Sequence, residues 1–275
     1  MDSPRQKVLF EFGHACDVGR KRRGEPNQDF VDLILPDPSN ANDLLPPCLV
    51  VADGLGGHLG GSMASGLVAR IFREEFQRSP HPTNYLQLLE LCAGKAHQAV
   101  RELASQDANL FNMGSTVVAV VLEEEKIFLL NVGDSRAYIL REEHIFQISQ
   151  DQSWVAAQVR NGLLSAEEAV RHPQRSRLDM AISAKRKEIV PYATEKKLEP
   201  NDIVVLCSDG LWGVLPEALI WATACELPPQ EAADKLVALA NNSQGPDNIS
   251  VIIARQVNAD RKAVVFNIED TDPGT

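Results

Sequence analysis

Apolar residues fall in short runs along most of this chain, and the runs alternate with stretches of helical spacing. Val8 to Phe12, Phe30 to Leu35, Cys48 to Ala52, Thr116 to Leu122, Lys126 to Val132, Ala137 to Leu140, Ile203 to Cys207 and Ile249 to Ala254 read as strands. Several are rich in Val and Ile, as buried strands are. Ser62 to Gln77 carries Leu67, Ile71 and Phe72 at helical spacing, and Tyr85 to Leu103 repeats the pattern with Tyr85, Leu88, Leu89, Cys92 and Ala96. Pro216 to Cys225 and Gln230 to Ala240 form a second helical pair, closed by the turn Gln244-Gly245-Pro246-Asp247. The order is therefore strands, two helices, strands, two helices, strand. Adjacent strands separated by helix pairs fit an α+β fold, with sheets packed together and helices outside, rather than a doubly wound sheet. No repeat or low-complexity linker divides the chain, so residues 1–275 are read as one domain, and Pro36 to Pro47 as a surface loop.

Composition narrows the function. The chain has 275 residues, 44% of them hydrophobic, enough for a substantial core. A formal charge of −11 repels phosphate backbones and anionic lipid, which sets nucleic-acid and membrane-surface roles aside. No apolar stretch approaches the ~20 residues of a membrane helix, and Met1 to Arg5 has no apolar signal core. A cytoplasmic protein is expected. The five cysteines, Cys16, Cys48, Cys92, Cys207 and Cys225, are irregularly spaced without a Cys-x-x-Cys pair, and read as reduced, half-buried core thiols. The six histidines are scattered too, which argues against structural zinc.

Asp recurs where apolar strands end. Ala52-Asp53-Gly54, Gly133-Asp134-Ser135 and Ser208-Asp209-Gly210 repeat one device, Pro246-Asp247-Asn248 leads into the strand that follows, and Asp29 closes Asn27-Gln28-Asp29. A strand end holds a carboxylate rigidly, and an adjacent glycine lets a ligand come close. One Asp-Gly is usually only a turn. Five converging acids would repel one another unless cations sit between them. Oxygen ligands without thiolate or imidazole select Mg²⁺ or Mn²⁺. Two such ions would supply a nucleophilic water and neutralise phosphoryl charge, so metal-assisted phosphate hydrolysis is the natural reaction class.

The motifs also carry a resemblance. Asp17-Val18-Gly19 through Arg22 and Arg23 to Asn27-Gln28-Asp29, then Ala52-Asp53-Gly54-Leu55-Gly56-Gly57-His58, Gly114-Ser115-Thr116, Asn131-Val132-Gly133-Asp134-Ser135-Arg136, Ser208-Asp209-Gly210-Leu211 and Gly245-Pro246-Asp247-Asn248 closely resemble, in order, the bacterial metal-dependent protein phosphatases of the type 2C class. The likeness covers about residues 8–256, leaving a tail of about 258–275. It implies a central antiparallel β-sandwich flanked by helix pairs, hydrolysing phosphoserine and phosphothreonine in proteins. It implies that Asp53 bridges two metals, that the Gly54 carbonyl binds one, and that Asp209 and Asp247 bind the other. Asp29 corresponds to an outer or water-mediated ligand, and Asp134 to the acid that helps hold a third, weaker ion. A mobile flap is expected over about residues 153–185. The implied partners are phosphorylated Ser/Thr proteins, including a cognate Ser/Thr kinase, and a monomer is expected.

Departures from the family pattern bear on mechanism. Gln152 stands in Asp151-Gln152-Ser153 where the family usually has Asp-His-Ser; it cannot titrate, so no proton relay runs through it. Asp179-Met180-Ala181-Ile182 replaces Arg-Ala-Leu-Gly. Ser183 to Lys197, with Lys185, Arg186, Lys187, Lys196 and Lys197, reads as a solvated loop rather than a docking patch for an acidic phosphopeptide. The resemblance implies an arginine that grips phosphate; counted from Gly19 it corresponds to Arg22, with Arg23 second, because the loop carries extra residues before Asn27. His58 is either a general acid for the leaving oxygen or a hydrogen-bonded structural residue.

Overall fold

The computed structural model describes residues 9–36, 45–79, 82, 84–123 and 125–257. Val8, most of the loop expected at Pro36 to Pro47 and the tail 258–275 lie outside these residues. Among them the strands are β1 (Leu9–Asp17), β2 (Asp29–Ile34), β3 (Cys48–Leu55), β4 (Gly114–Ser115), β5 (Val117–Glu123), β6 (Lys126–Val132), β7 (Arg136–Arg141), β8 (His144–Gln147), β9 (Ile182–Ser183), β10 (Tyr192–Lys197), β11 (Ile203–Cys207) and β12 (Ile249–Val257). The helices are α1 (His58–Arg78), α2 (Tyr85–Gln106), α3 (Trp154–Arg160), α4 (Ala166–Arg171), α5 (Asp209–Trp212), α6 (Glu217–Glu226) and α7 (Pro229–Asn242).

Two antiparallel sheets result. One runs β1-β12-β11-β7-β8; the other runs β10-β6-β5-β3-β4-β9, with β2 also on β3. Side chains alternate across a strand, so each sheet has two apolar faces to bury. Leu49, Val51, Val118, Val120 and Leu129 from one sheet meet Ala137, Ile139, Val204, Leu206 and Ile252 from the other, forming the interior of a sandwich. The opposite face of the second sheet, with Val50, Ala119 and Leu130, packs under α1 and α2 through Val68, Phe72, Leu89 and Cys92. The opposite face of the first, with Tyr138, Val205 and Val251, packs under α6 and α7 through Ile220, Ala233, Leu236 and Val237. This is the helix-sheet-sheet-helix layering expected from the order of elements.

Local chemistry sets the helix starts. Asn84 caps α2 by accepting hydrogen bonds from the amides of Leu86 and Gln87 at 2.9 and 3.3 Å. Ser165 and Glu168 form a reciprocal capping box on α4. Pro229 opens α7, where a missing amide proton costs nothing.

Three expectations change. The first strand extends to Asp17, because it pairs with β12 over its whole length. The basic stretch expected to be a loop contains β10, which pairs with β6 from Tyr192↔Asn131 to Lys197↔Lys126. Its polar Thr-Glu-Lys-Lys sequence suits a sheet edge, where charged side chains discourage further pairing. Of the cysteines, Cys48, Cys92 and Cys207 are buried, whereas Cys16 is exposed rather than half-buried in the core.

Candidate metal centre

Five elements converge to bring the acids together. Asp29 opens β2 and is the register partner of Asp53 on β3. Asp134 lies in the turn between β6 and β7, Asp209 begins α5 directly after β11, and Asp247 precedes β12. Asp29 and Asp134 are buried; Asp53, Asp209 and Asp247 are half-buried.

Neighbouring side chains hold this arrangement. The backbone of Asp53 is gripped by Thr116, whose hydroxyl accepts from the Asp53 amide at 3.1 Å and whose own amide donates to the Asp53 carbonyl at 2.8 Å. Ser208 donates to Asp29 Oδ2 at 2.7 Å and accepts from the Ser250 amide at 3.0 Å. Asn248 accepts from the Gln28 amide at 2.9 Å and donates to the Val18 carbonyl at 2.8 Å, fastening the Asp247 turn to the loop that carries Arg22. Gly54 packs so tightly that a Cβ there would lie 2.3 Å from the Gly61 carbonyl oxygen, so the chain beside Asp53 admits no side chain. Gly133 has φ +106, with Thr116 against it, which lets Asp134 turn off the end of β6.

The electrostatics follow from crowding. Burial, then the Asp209 and Asp247 carboxylates, push Asp29 up to about 7 against the hydrogen bond from Ser208. Burial and Asp247 push Asp209 up to about 6, opposed by a hydrogen bond with Asp53. Asp53 is raised well above the usual carboxylate range by burial and by Asp29, Asp209, Asp134 and Asp247. Asp134 is raised by burial and by Asp209 and Asp151. Asp29 Oδ1 is buried without a hydrogen-bond partner. Like charges this close cannot all ionise without a counter-ion.

Among the described residues, Arg22 supplies a counter-ion to Asp247. Arg22 lies on Asp247, Nε to Oδ1 and Nη2 to Oδ2 both at 3.0 Å. With Arg22 on Asp247 and Asp53 bonded to Asp209, no three acid, His or Cys side chains among the described residues already stand as a finished ligand cage. The donor set nevertheless fits a hard divalent cation: an orphaned buried carboxylate oxygen, acids pushed toward the protonated form by burial and by one another, and the Gly54 backbone next to Asp53. Asp53, Asp209, Asp247 and the Gly54 carbonyl could hold such ions, with Asp29 and Asp134 beside them.

Beyond Asp134 and Asp209 a cavity of about 680 Å³ opens toward α3 and α4, lined on that side by Val155, Val159 and Val170. Arg136 lies 3.6 Å from the centroid of a Trp212 ring and pairs with Asp151 at 2.7 Å. The Trp212 indole donates to the Asp134 carbonyl at 3.0 Å.

The family model described as protein phosphatase 2C matches residues 18–238. The chain belongs to this family. It is 33% identical to the serine/threonine protein phosphatase PstP of Mycobacterium tuberculosis over 77% of this chain and 41% of that one. It is 30% identical to the serine/threonine phosphatase stp of Listeria innocua over 76% of this chain and 84% of that one. The alignment with PstP thus spans about two fifths of the longer protein. Among solved structures, the catalytic domain of PstP in complex with two manganese ions superposes with a TM-score of 0.79 at 27% identity, covering 91% of this chain and all of that one. The α+β sandwich of this chain is therefore the fold of bacterial type 2C phosphatases.

Within this type 2C frame, the expected residues separate. Asp29, Asp53, Gly54, Asp134, Asp209 and Asp247 lie around one site, and Arg22 reaches it. Arg23 is exposed one position further on. The His58 backbone opens α1, and its side chain lies outside the described residues. Arg136 pairs with Asp151 rather than Asp134. Sequence reasoning missed the supporting roles of Thr116, Ser208, Asn248 and Trp212. Ser208 and Asn248 sit beside acids in the quoted motifs and Thr116 ends another, so their positions were visible although their bonds were not.

Proposed function

We propose that this chain hydrolyses phosphoserine and phosphothreonine in proteins, using Mn²⁺ or Mg²⁺ held by the acid cluster. The observation that carries this reading is the convergence of five carboxylates in a type 2C fold, with Arg22 paired to one of them. When bound, the ions supply a nucleophilic water near neutral pH and positive charge for the phosphoryl oxygens. Asp53, the Gly54 carbonyl, Asp209 and Asp247 hold the inner pair, Asp29 orients from behind, and Asp134 helps hold a third, weaker ion. Arg22 offers a planar fork of N–H donors to two phosphoryl oxygens, which orients the phosphate at the acids. Ser208 and Thr116 keep Asp29 and Asp53 from swinging away as charge moves.

The substrate proteins include a cognate Ser/Thr kinase, and the enzyme acts as a cytoplasmic monomer. No helix among the described residues is long and apolar enough to cross a membrane. The test compares phosphoserine, phosphothreonine and phosphotyrosine peptides with nucleotides in one assay, with and without Mn²⁺. Turnover of the first two that chelator abolishes supports the reading. Preference for nucleotides or phosphotyrosine, or full activity in chelator, overturns it.

A further inference from the structure

Gln152 uses four polar groups to join two separate parts of the molecule. Its side-chain carbonyl accepts from the Gly133 amide at 2.9 Å, and its own amide donates to the Gly133 carbonyl at 2.9 Å. That pair of bonds clamps the turn that presents Asp134. On the other side, its backbone carbonyl accepts from the amides of Asp179 and Met180 at 2.8 and 3.1 Å. Its side-chain nitrogen donates to the Val190 carbonyl at 2.9 Å.

The chain between these contacts is the excursion that carries α3 and α4 and forms one wall of the cavity beside Asp134. It leaves the sandwich immediately after Gln152 and returns at Asp179. Its base is closed by the Ser153↔Leu178 bridge and by the Trp154 amide donating to Arg177 at 2.8 Å. Gln152 therefore stands at the hinge of the excursion and on the Asp134 turn at once. Its neighbours reinforce the seam: Asn131 bonds both backbone polar groups of Gln150 at 2.9 and 3.1 Å, and Asp151 holds Arg136.

We infer that Gln152 is a positioning residue whose side chain makes the Asp134 turn and the Val190 segment, which follows the α3–α4 excursion, move as one body. The residue type fits the task. The Gly133 amide needs an acceptor and the Val190 carbonyl needs a donor, and a primary amide supplies both in one plane with no charge. The inference rests on the phosphatase reading only where turnover is measured.

The test is hydrogen exchange on the metal-free full-length protein, beside kinetics at saturating Mn²⁺, for Gln152→Leu, Gln152→Glu and Gln152→His. Gln152→Leu loses both side-chain bonds and keeps the backbone bonds to Asp179 and Met180; amides at Gly133 to Ser135 and around Val190 should lose protection together while β5 keeps its own. Its kcat should fall by about 10–100-fold, as when partners behind a metal ligand are removed, with inner-ion affinity by calorimetry unchanged. Gln152→Glu keeps the acceptor for Gly133 and loses the donor for Val190, so only the Val190 side should loosen. Gln152→His, whose neutral ring has one donor and one acceptor, should restore both. Loosening of one segment without the other in Gln152→Leu, wild-type kcat despite loosening of both, or an equal loss of protection in β5 would each overturn the tie. Exchange needs neither metal nor substrate, so wild-type protein without turnover would count against the phosphatase reading alone.

Discussion

The Arg22 guanidinium and the Asp247 carboxylate form a two-bond ion pair, each N–O contact 3.0 Å long. If Asp247 binds a metal ion, that pair must part, and the freed guanidinium then faces the phosphate. Metal and arginine thus compete for one carboxylate. Arg22→Ala should raise KM for a phosphothreonine peptide by about 10–100-fold, the loss of a charge-assisted fork. Calorimetry should show tighter Mn²⁺ binding in Arg22→Ala than in wild type. Weaker or unchanged Mn²⁺ affinity would mean that the pair does not compete with metal.

Asp209→Asn tests the acids in two opposite directions. It removes a charged ligand, so Mn²⁺ affinity and turnover should each drop by about 100-fold or more, beyond what loss of an outer partner costs. It also removes one repelling carboxylate from a cluster in which Asp209 is pushed up to about 6. The metal-free melting temperature should therefore rise by about 2–4 °C, the effect of about 1 kcal/mol in a domain of this size. Near wild-type turnover would remove Asp209 from the site; an unchanged melting point would show that the cluster is not strained.

The layers and the acids were legible in the sequence for different reasons. Buried strands such as Val117 to Leu122 and Ile203 to Cys207 announce themselves because both faces are apolar. The edge strand Tyr192–Lys197 does not, because its outer positions meet water and its pairing is supplied by β6. The short helices Trp154–Arg160 and Ala166–Arg171 were expected only as a flap: neither is long enough to show a clear 3.6-residue period. The acids stood out by their places at strand ends. Arg22 was chosen over Arg23 by counting along a loop, and what the count could not give was its partner, which comes from a residue 225 positions away. Gln152 was visible as a departure from the family pattern, but its contacts depend on how the flap returns to the sandwich.

Stability of the metal-free protein should fall as pH rises. Asp29 is pushed from 3.8 to about 7 in the folded chain, mainly by burial. A group raised on folding binds its proton more tightly in the native state, so its contribution is fully present below the unfolded value and is lost as pH rises through the folded one. Asp209, raised to about 6, acts in the same direction. In chelator, the urea midpoint should therefore decline between about pH 4 and 7, within the range set by Asp29. Saturating Mn²⁺ should remove the decline, because the acids then ionise against a cation. A chelated protein whose midpoint rises through that window would contradict the charge crowding.

Asp134 stands apart from the other acids in how it is held. It sits on the Gly133 turn, its carbonyl accepts from Trp212 at 3.0 Å, and its nearest arginine is committed to Asp151. Asp53, Asp209 and Asp247 would hold inner ions without it, and the resemblance to the type 2C family implies a weaker ion at Asp134. Asp134→Ala should consequently slow hydrolysis by about 10–100-fold, the range for a ligand that tunes rather than forms a site. The inner pair should bind with unchanged affinity in calorimetry, and the Mn²⁺ concentration giving half-maximal rate should rise. The Trp212 bond goes to backbone, so the turn survives the substitution and the folded structure should not shift. Loss of inner-ion binding in Asp134→Ala would reject a separate third site, and a wild-type rate at every Mn²⁺ concentration would leave Asp134 as part of the turn alone.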